Sequence, residues 1–390
     1  MRAAILKLVA TATLMSLLES VSVPAQEPVR YPTIRPNGRL QADAAFYQED
    51  KKDLSNGTEI RRARLAVAGE LSPRWTYQLE LDFADDDAKV RDVWLLYRAS
   101  EVLRLQLGNF KEPFSLDGIT SSRFTTFIER SLMDAFVPSR HFGAAVRTSF
   151  RFATASAGIF GQEPGDLGEA DLQDSEGWGA VVRGSVAPIR QSRRLVHVAA
   201  ALRHRTPLAQ EDDETDLRFR GYSETHVDRT RFYDTGNLAD SKNFQQLGLE
   251  SAVVLGSLSL QGERIWTKVN REALPNSTLS GGYVYASFFP TGEHRPYDPE
   301  DGEFLGIVPR RRMGALELLL RYSDLDLNDG PVSGGSGHNW TAGANWYLTP
   351  NLRFMLNYIV TDHDALADAN GAFEGDDDFR ALYLRMQFHF

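Results

Sequence analysis

Cysteine is absent from the 390 residues. That rules out disulfides and fits a protein exported to an oxidising compartment that does without them. Long apolar runs are also missing. Beyond the first 25 residues no stretch supplies the ~18 uncharged apolar residues of a spanning helix. If the mature chain crosses a membrane, it must do so as a closed β-barrel, since no other sheet satisfies its backbone there. Excess positive charge is missing too: 43 Lys and Arg stand against 53 Asp and Glu, a net −10, which argues against a general nucleic-acid binder. Catalytic signatures are lacking as well. The eight histidines form no motif, no serine sits in a Gly-x-Ser-x-Gly elbow, and no spacing suits a metal. The expectation is a chain that is not an enzyme and needs neither cofactor nor metal.

What the chain does have is a short targeting segment and many alternating strands. Arg2 and Lys7 precede the apolar core 8–18, and Val23-Pro24-Ala25 offers a cleavage site. Residues 1–25 therefore read as a secretory signal peptide. Residues 26–37 read as a Pro-containing lead, and 38–390 as a single barrel domain. The closing stretch sets the pattern. Leu382, Leu384, Met386, Phe388 and Phe390 alternate with Tyr383, Arg385, Gln387 and His389, so one strand face is apolar and the other polar. Trp75, Tyr77, Leu79, Leu81 and Phe83 alternate with Thr76, Gln78, Glu80 and Asp82 in the same way, with aromatics at both ends as at membrane interfaces. About 16 such segments can be traced, an even number. Tight turns (72–74, 99–101, 151–153, 255–257, 349–350) interleave with long polar loops (48–59, 111–141, 162–176, 205–243, 268–280, 324–337, 362–378). A bacterial outer-membrane barrel sorts its connections this way. Residues 290–312 break the rule, being long where a short turn is due.

An anion-selective lumen needs cations or hydrogen-bond donors inside a narrow wall. Arginine suits phosphate because its planar fork bonds two oxygens at once. Alternation places Arg62, Arg64, Arg98, Arg104 and Arg147 on polar strand faces. These could equally pair with inward carboxylates such as Glu80, Asp82, Asp92, Glu250 and Glu263. The long connection 109–141 adds Lys111, Ser121, Ser122, Arg123, Arg130 and Arg140.

The stretch from Ile60 to Gly143 resembles the phosphate-selective porins O and P. The resemblance rests on RRARLAVAGEL (61–71), DVWLLY (92–97), the hinge GNFKEPFSLDGITSS (108–122) and Glu129-Arg130. GALELLLRYSDLDL (314–327), NWYLTPNLRFMLNY (345–358) and the segment 290–312 have the same look. It implies an all-β transmembrane antiparallel barrel of about 16 strands, with a third loop folded into the lumen. It also implies a homotrimer in the bacterial outer membrane, in contact with its lipid and passing small anions such as phosphate. By resemblance Asp92, Ser121, Ser122 and Arg130 match filter positions. Phosphate-specific members carry a lysine two residues before the Thr-Ser-Ser, where this chain has Gly118. A weakly selective general porin, and a closed-lumen barrel with adhesive or receptor loops, remain as alternatives at this point.

Overall fold

The computed structural model describes residues 30–84, 88–162, 177–207 and 217–390. The signal-peptide reading of 1–25, the acidic stretch 85–87 and most of the loop 162–176 lie outside the described residues. Among the described residues, sixteen strands close into one antiparallel barrel. In chain order they are β1 Arg35–Glu49, β2 Gly57–Ser72, β3 Trp75–Asp82, β4 Lys89–Arg98, β5 Leu103–Lys111, β6 Arg140–Ser149, β7 Ala153–Phe160, β8 Gly179–Gln191 and β9 Arg194–Arg205. After the short pair β10 Arg220–Gly221 and β11 Tyr233–Asp234 come β12 Ser241–Leu255, β13 Leu258–Arg271 and β14 Ser277–Phe288. A second short pair, β15 Tyr297–Asp298 and β16 Glu303–Phe304, precedes β17 Ala315–Asp329, β18 Val332–Tyr347, β19 Leu352–His363 and β20 Phe379–His389. The two short pairs stand outside the barrel wall.

β1 closes the ring against β20, in register from Arg39 opposite His389 to Glu49 opposite Phe379. β1 begins at Arg35, inside the stretch read as a lead. Period-two chemistry decides which face looks out. On β20, Leu382, Met386 and Phe388 are exposed, as is Phe390 just beyond it, while Ala381, Tyr383, Arg385 and Gln387 are buried. The same split runs around the wall and gives an apolar belt for lipid and a polar lumen. Several strands run further than the apolar pattern. The stretch 324–337, read as a long loop, is instead a tight hairpin in which Asp329 pairs with Val332 across Gly330-Pro331. Likewise β13 and β14 shorten the loop 268–280 to residues 272–276. Ladder hydrogen bonds need no apolar side chains, so pairing with β17 takes in Ser333, Ser336 and Gly337, across a register shift at Gly334-Gly335, where no periodicity marks it.

Three connections turn inward. Residues 112–139 bond to lumen-facing side chains on well-separated strands, which only the inside of the barrel can reach. Asn345 and Arg353 donate to the carbonyls of Thr126 and Thr125, and Asn357 accepts from Ile128 N. On other strands Gln387 reaches Arg123 O and Gln246 reaches Phe136 O. The segment contains a short helix, α1 (Leu116–Ile119). The buried Glu263 carboxylate accepts its first amides, Leu116 N at 2.9 Å and Asp117 N at 2.8 Å, and Ser115 Oγ caps it from Gly118 N.

The second inward segment is 217–240, and here the reading of 205–243 as a polar outer loop is corrected for its described part. Leu217, Phe219, Phe232 and Tyr233 are buried, and Phe219 packs between Phe136 and Phe244 with ring centroids 5.5 Å away on each side. Apolar side chains this dense must leave water, and the lumen is where they can. The third segment is the β15–β16 hairpin, which enters from the short-turn end. Its fastenings are Tyr297 Oη to His197 Nδ1 at 2.8 Å, Arg183 Nη2 to Gly302 O at 3.3 Å, and the Arg295 guanidinium 3.7 Å over the Phe304 ring. Gly302 holds φ +68, and a Cβ there would meet Ser185 Oγ at 3.0 Å, so the hairpin tip needs glycine.

Candidate anion-binding constriction

Beneath the infolded segment lies a cavity of about 400 Å³, walled by β1, β3, β4, β5 and β6 and closed by the β15–β16 hairpin. Six cations line it: Arg39, Arg104, Lys111, Arg123, Arg140 and Arg147. Four carboxylates face them: Glu80, Asp92, Asp301 and Glu303. The formal excess is therefore +2.

The cations differ in what holds them. Arg140 Nη2 donates to Asp92 Oδ2 at 2.8 Å. Arg39 Nη2 binds both oxygens of Glu80, at 3.0 and 3.1 Å, and its Nη1 donates to Ser122 Oγ at 2.7 Å. Lys111 is held by carbonyls instead: its Nζ donates to Gly118 O at 2.8 Å, Ile119 O at 3.1 Å and Thr120 O at 2.9 Å. Arg123 Nη2 donates to Asn37 Oδ1 at 2.6 Å and lies 3.8 Å from Glu80. The hydrogen bonds of Lys111, and the shortest contact of Arg123, thus go to neutral oxygens and not to a carboxylate. At the short-turn end Arg104 Nη2 meets Asp301 Oδ1 at 2.9 Å, and Arg147 Nη1 meets the same oxygen at 3.4 Å. Burial by itself raises the Asp301 carboxyl, but the Arg147 and Arg104 guanidiniums bring it below the ordinary carboxylate range. Glu303 goes the other way. Burial pushes its carboxyl up to about 7 against the pull of Lys111, and Asp301 adds to the rise.

The cavity thus brings together Asp92, Arg104, Lys111, Ser121, Arg123, Arg140 and Arg147 from among the residues expected from sequence. The others stand off its lining. Arg64 is engaged by Asp82 at 2.6 Å and Glu80 at 3.2 Å, and Arg62 donates to Gln41 Oε1 at 2.7 Å. Arg98 lies 3.6 Å from Glu300. Ser122 serves Arg39. Arg130 lines a much smaller cavity on the other face of the 118–120 strip, which also contains Asp117 and Arg321. Its guanidinium donates to Asp117 O, Gly118 O and Thr120 O at 3.1–3.3 Å. Two cations therefore share the carbonyls of Gly118 and Thr120, one from each side.

Sequence reasoning missed several members. Arg39 was legible, since it alternates with Leu40 on β1. Arg61 was not. A register shift beside Gln41-Ala42 turns both Arg61 and Arg62 into the lumen, where Arg61 Nε donates to Glu129 Oε1 at 2.9 Å. Asp301 and Glu303 come from a connection with no period at all.

A closed barrel with an apolar belt, a charged lumen and an infolded constriction is an outer-membrane porin, placed in the bacterial outer membrane. The family model for phosphate-selective porin O and P matches residues 34–390. The chain belongs to that family. It is 30% identical over 363 residues to an uncharacterized protein of Caulobacter vibrioides, covering 89% of this chain and 72% of that one. It is 25% identical over 397 residues to Porin O of Pseudomonas aeruginosa, covering 90% of this chain and 87% of that one. Among solved structures, an anion-selective porin from Comamonas acidovorans superposes with a TM-score of 0.56 at 12% identity, over 92% of this chain and all of that one.

Proposed function

We propose that this porin passes small anions, inorganic phosphate foremost, by passive diffusion through a lumen narrowed by residues 112–139. The observation that carries the reading is the +2 excess on the cavity lining, with Lys111 and Arg123 held by neutral oxygens. Positive charge confined in a narrow low-dielectric wall raises local anion concentration and repels cations. Gly118 brings no amino group, yet the Lys111 Nζ lies 2.8 Å from its carbonyl. We read Lys111, delivered from β5, as the cation that serves this part of the path. Arg104, Arg140 and Arg147 offer forked donors for an oxyanion dehydrating beside it. The inward course of 112–139 favours a channel over a barrel built for adhesion. The assembly we propose is the homotrimer that the resemblance implies, visible as a heat-dissociable trimer band on electrophoresis.

The test is the zero-current potential of the purified protein in a planar bilayer under a KCl gradient, repeated with phosphate. Anion selectivity, with chloride current blocked by phosphate and the block weakened by Lys111→Met, is the expected result. A cation-selective or near-zero potential, unmoved by phosphate, would assign the lumenal arginines to structure alone.

A further inference from the structure

The lower end of the cavity already holds anions, and they belong to the protein. Asp301 bridges Arg104 and Arg147. Glu300 gives Arg104 its carbonyl oxygen at 2.7 Å and brings its carboxylate to 3.6 Å from both Arg104 and Arg98. Glu303, two residues beyond Asp301, lines the cavity with Lys111. The other two lining carboxylates, Glu80 and Asp92, stand on barrel strands and fasten Arg39, Arg64 and Arg140. Asp301 and Glu303 instead arrive on a hairpin pinned to the wall through Tyr297 and Gly302.

We propose that Asp301 and Glu303 are specificity-determining residues, tethered counter-anions that set how strongly this channel prefers anions. The proposal rests on the anion-channel reading above. Without these two carboxylates the formal excess on the lining would double from +2 to +4. A carboxylate tethered beside its arginines acts at a high effective concentration, so a dilute free anion competes with it at a disadvantage. The fastened hairpin does not leave as a plug would. It lowers the affinity of the lower half of the path, which lets an anion caught near Lys111 and Arg140 move on. A pore conducts only if its sites bind loosely enough to release.

The experiment compares wild type, Asp301→Asn, Glu303→Gln and the double variant in planar bilayers under one KCl gradient at pH 8, where both carboxylates are ionised, with and without phosphate. The anion-to-cation permeability ratio should rise roughly fivefold for each carboxylate removed, the Boltzmann weight of one charge across a cavity this size. The phosphate concentration that half-blocks chloride current should fall in step, and Asp301→Glu should keep wild-type behaviour. If Asp301→Asn yields no heat-modifiable barrel, Glu303→Gln carries the test alone, since its side chain faces the open cavity. An anion-selective wild type whose variants are unchanged overturns this proposal and leaves the anion channel standing. A non-selective wild type whose variants become anion-selective does the reverse: the carboxylates set selectivity, and the native protein is a general pore. No anion preference in any variant removes both.

Discussion

Glu303 is a carboxylate whose charge can be changed within the working range of an outer-membrane protein. Its neighbours are Lys111 on β5, Arg147 on β6, and Asp298 and Asp301 on its own hairpin. Burial holds its carboxyl at about 7. The sign follows directly. Above that pH Glu303 is ionised and subtracts one charge from the lining; below it the side chain is neutral and the excess grows from +2 to +3. Anion preference should therefore be greater at pH 6 than at pH 8, and Glu303→Gln should remove that step. The check is the zero-current potential taken across the pH range. A step of equal size in the variant would assign the titration to another group. The same shift bears on stability. The folded state holds this proton more tightly than the unfolded chain does, so the contribution is full below the ordinary carboxylate pKa and is lost as pH rises through about 7.

The packing of the infolded segment bears on the position where the phosphate-specific pattern has a lysine. A lysine at position 118 has no room, because a Cβ built on Gly118 lies 2.7 Å from Val137 Cγ1 and 3.2 Å from Ser115 Cβ. The chain instead brings Lys111 to the Gly118 carbonyl. Gly118→Lys should therefore lower the temperature of the heat-modifiable gel shift and should not tighten phosphate block, whereas Gly118→Lys with Val137→Ala should recover the gel shift. Tighter block by the single variant would show that the segment adapts more freely than its packing suggests.

The elements also show what was legible. The sixteen wall strands could be read because lipid on one side and water on the other impose period two on every strand. The same rule turned Arg104 and Arg147 toward the lumen, where they line the cavity. It did not reach Lys111 and Arg140, read as part of the long connection but standing instead at the ends of β5 and β6. It failed at Arg61, where a one-residue shift reverses faces without leaving a trace in composition. It also had nothing to say about residues 217–240 and the β15–β16 hairpin. Those segments are fixed by individual contacts, such as the buried Glu224 carboxylate accepting from Arg321 and Thr341. Such contacts join residues roughly a hundred positions apart and carry no local signal.

At the scale of the whole barrel, the two faces of one strand obey opposite rules, and this gives a test of the orientation. Leu382 and Arg385 lie three residues apart on β20. Leu382 is 37% exposed on the outer belt and Arg385 is 2% exposed in the lumen. Arg385 bonds Asp43 through Nε at 2.7 Å and Nη2 at 2.6 Å, and its Nη2 also reaches Glu129 Oε1 at 2.6 Å. Tyr383 Oη donates to the same Asp43 carboxylate at 2.7 Å. Leu382→Arg puts a charge into hydrocarbon and should cost about 2–4 kcal/mol near the bilayer midplane. Arg385→Leu leaves Asp43 and Glu129 short of their cation and should cost about 3–5 kcal/mol, although it makes the strand more apolar. Asp43→Asn added to Arg385→Leu should recover part of that loss, because it removes one stranded charge and keeps a group that can accept from Tyr383. Denaturant titration of the barrel refolded into lipid vesicles measures all three. If Leu382→Arg proved neutral while Arg385→Leu remained costly, β20 would face water or protein on its outer side. Among the described residues the barrel wall has no other surface to offer the bilayer, so the membrane placement of the whole chain depends on that comparison.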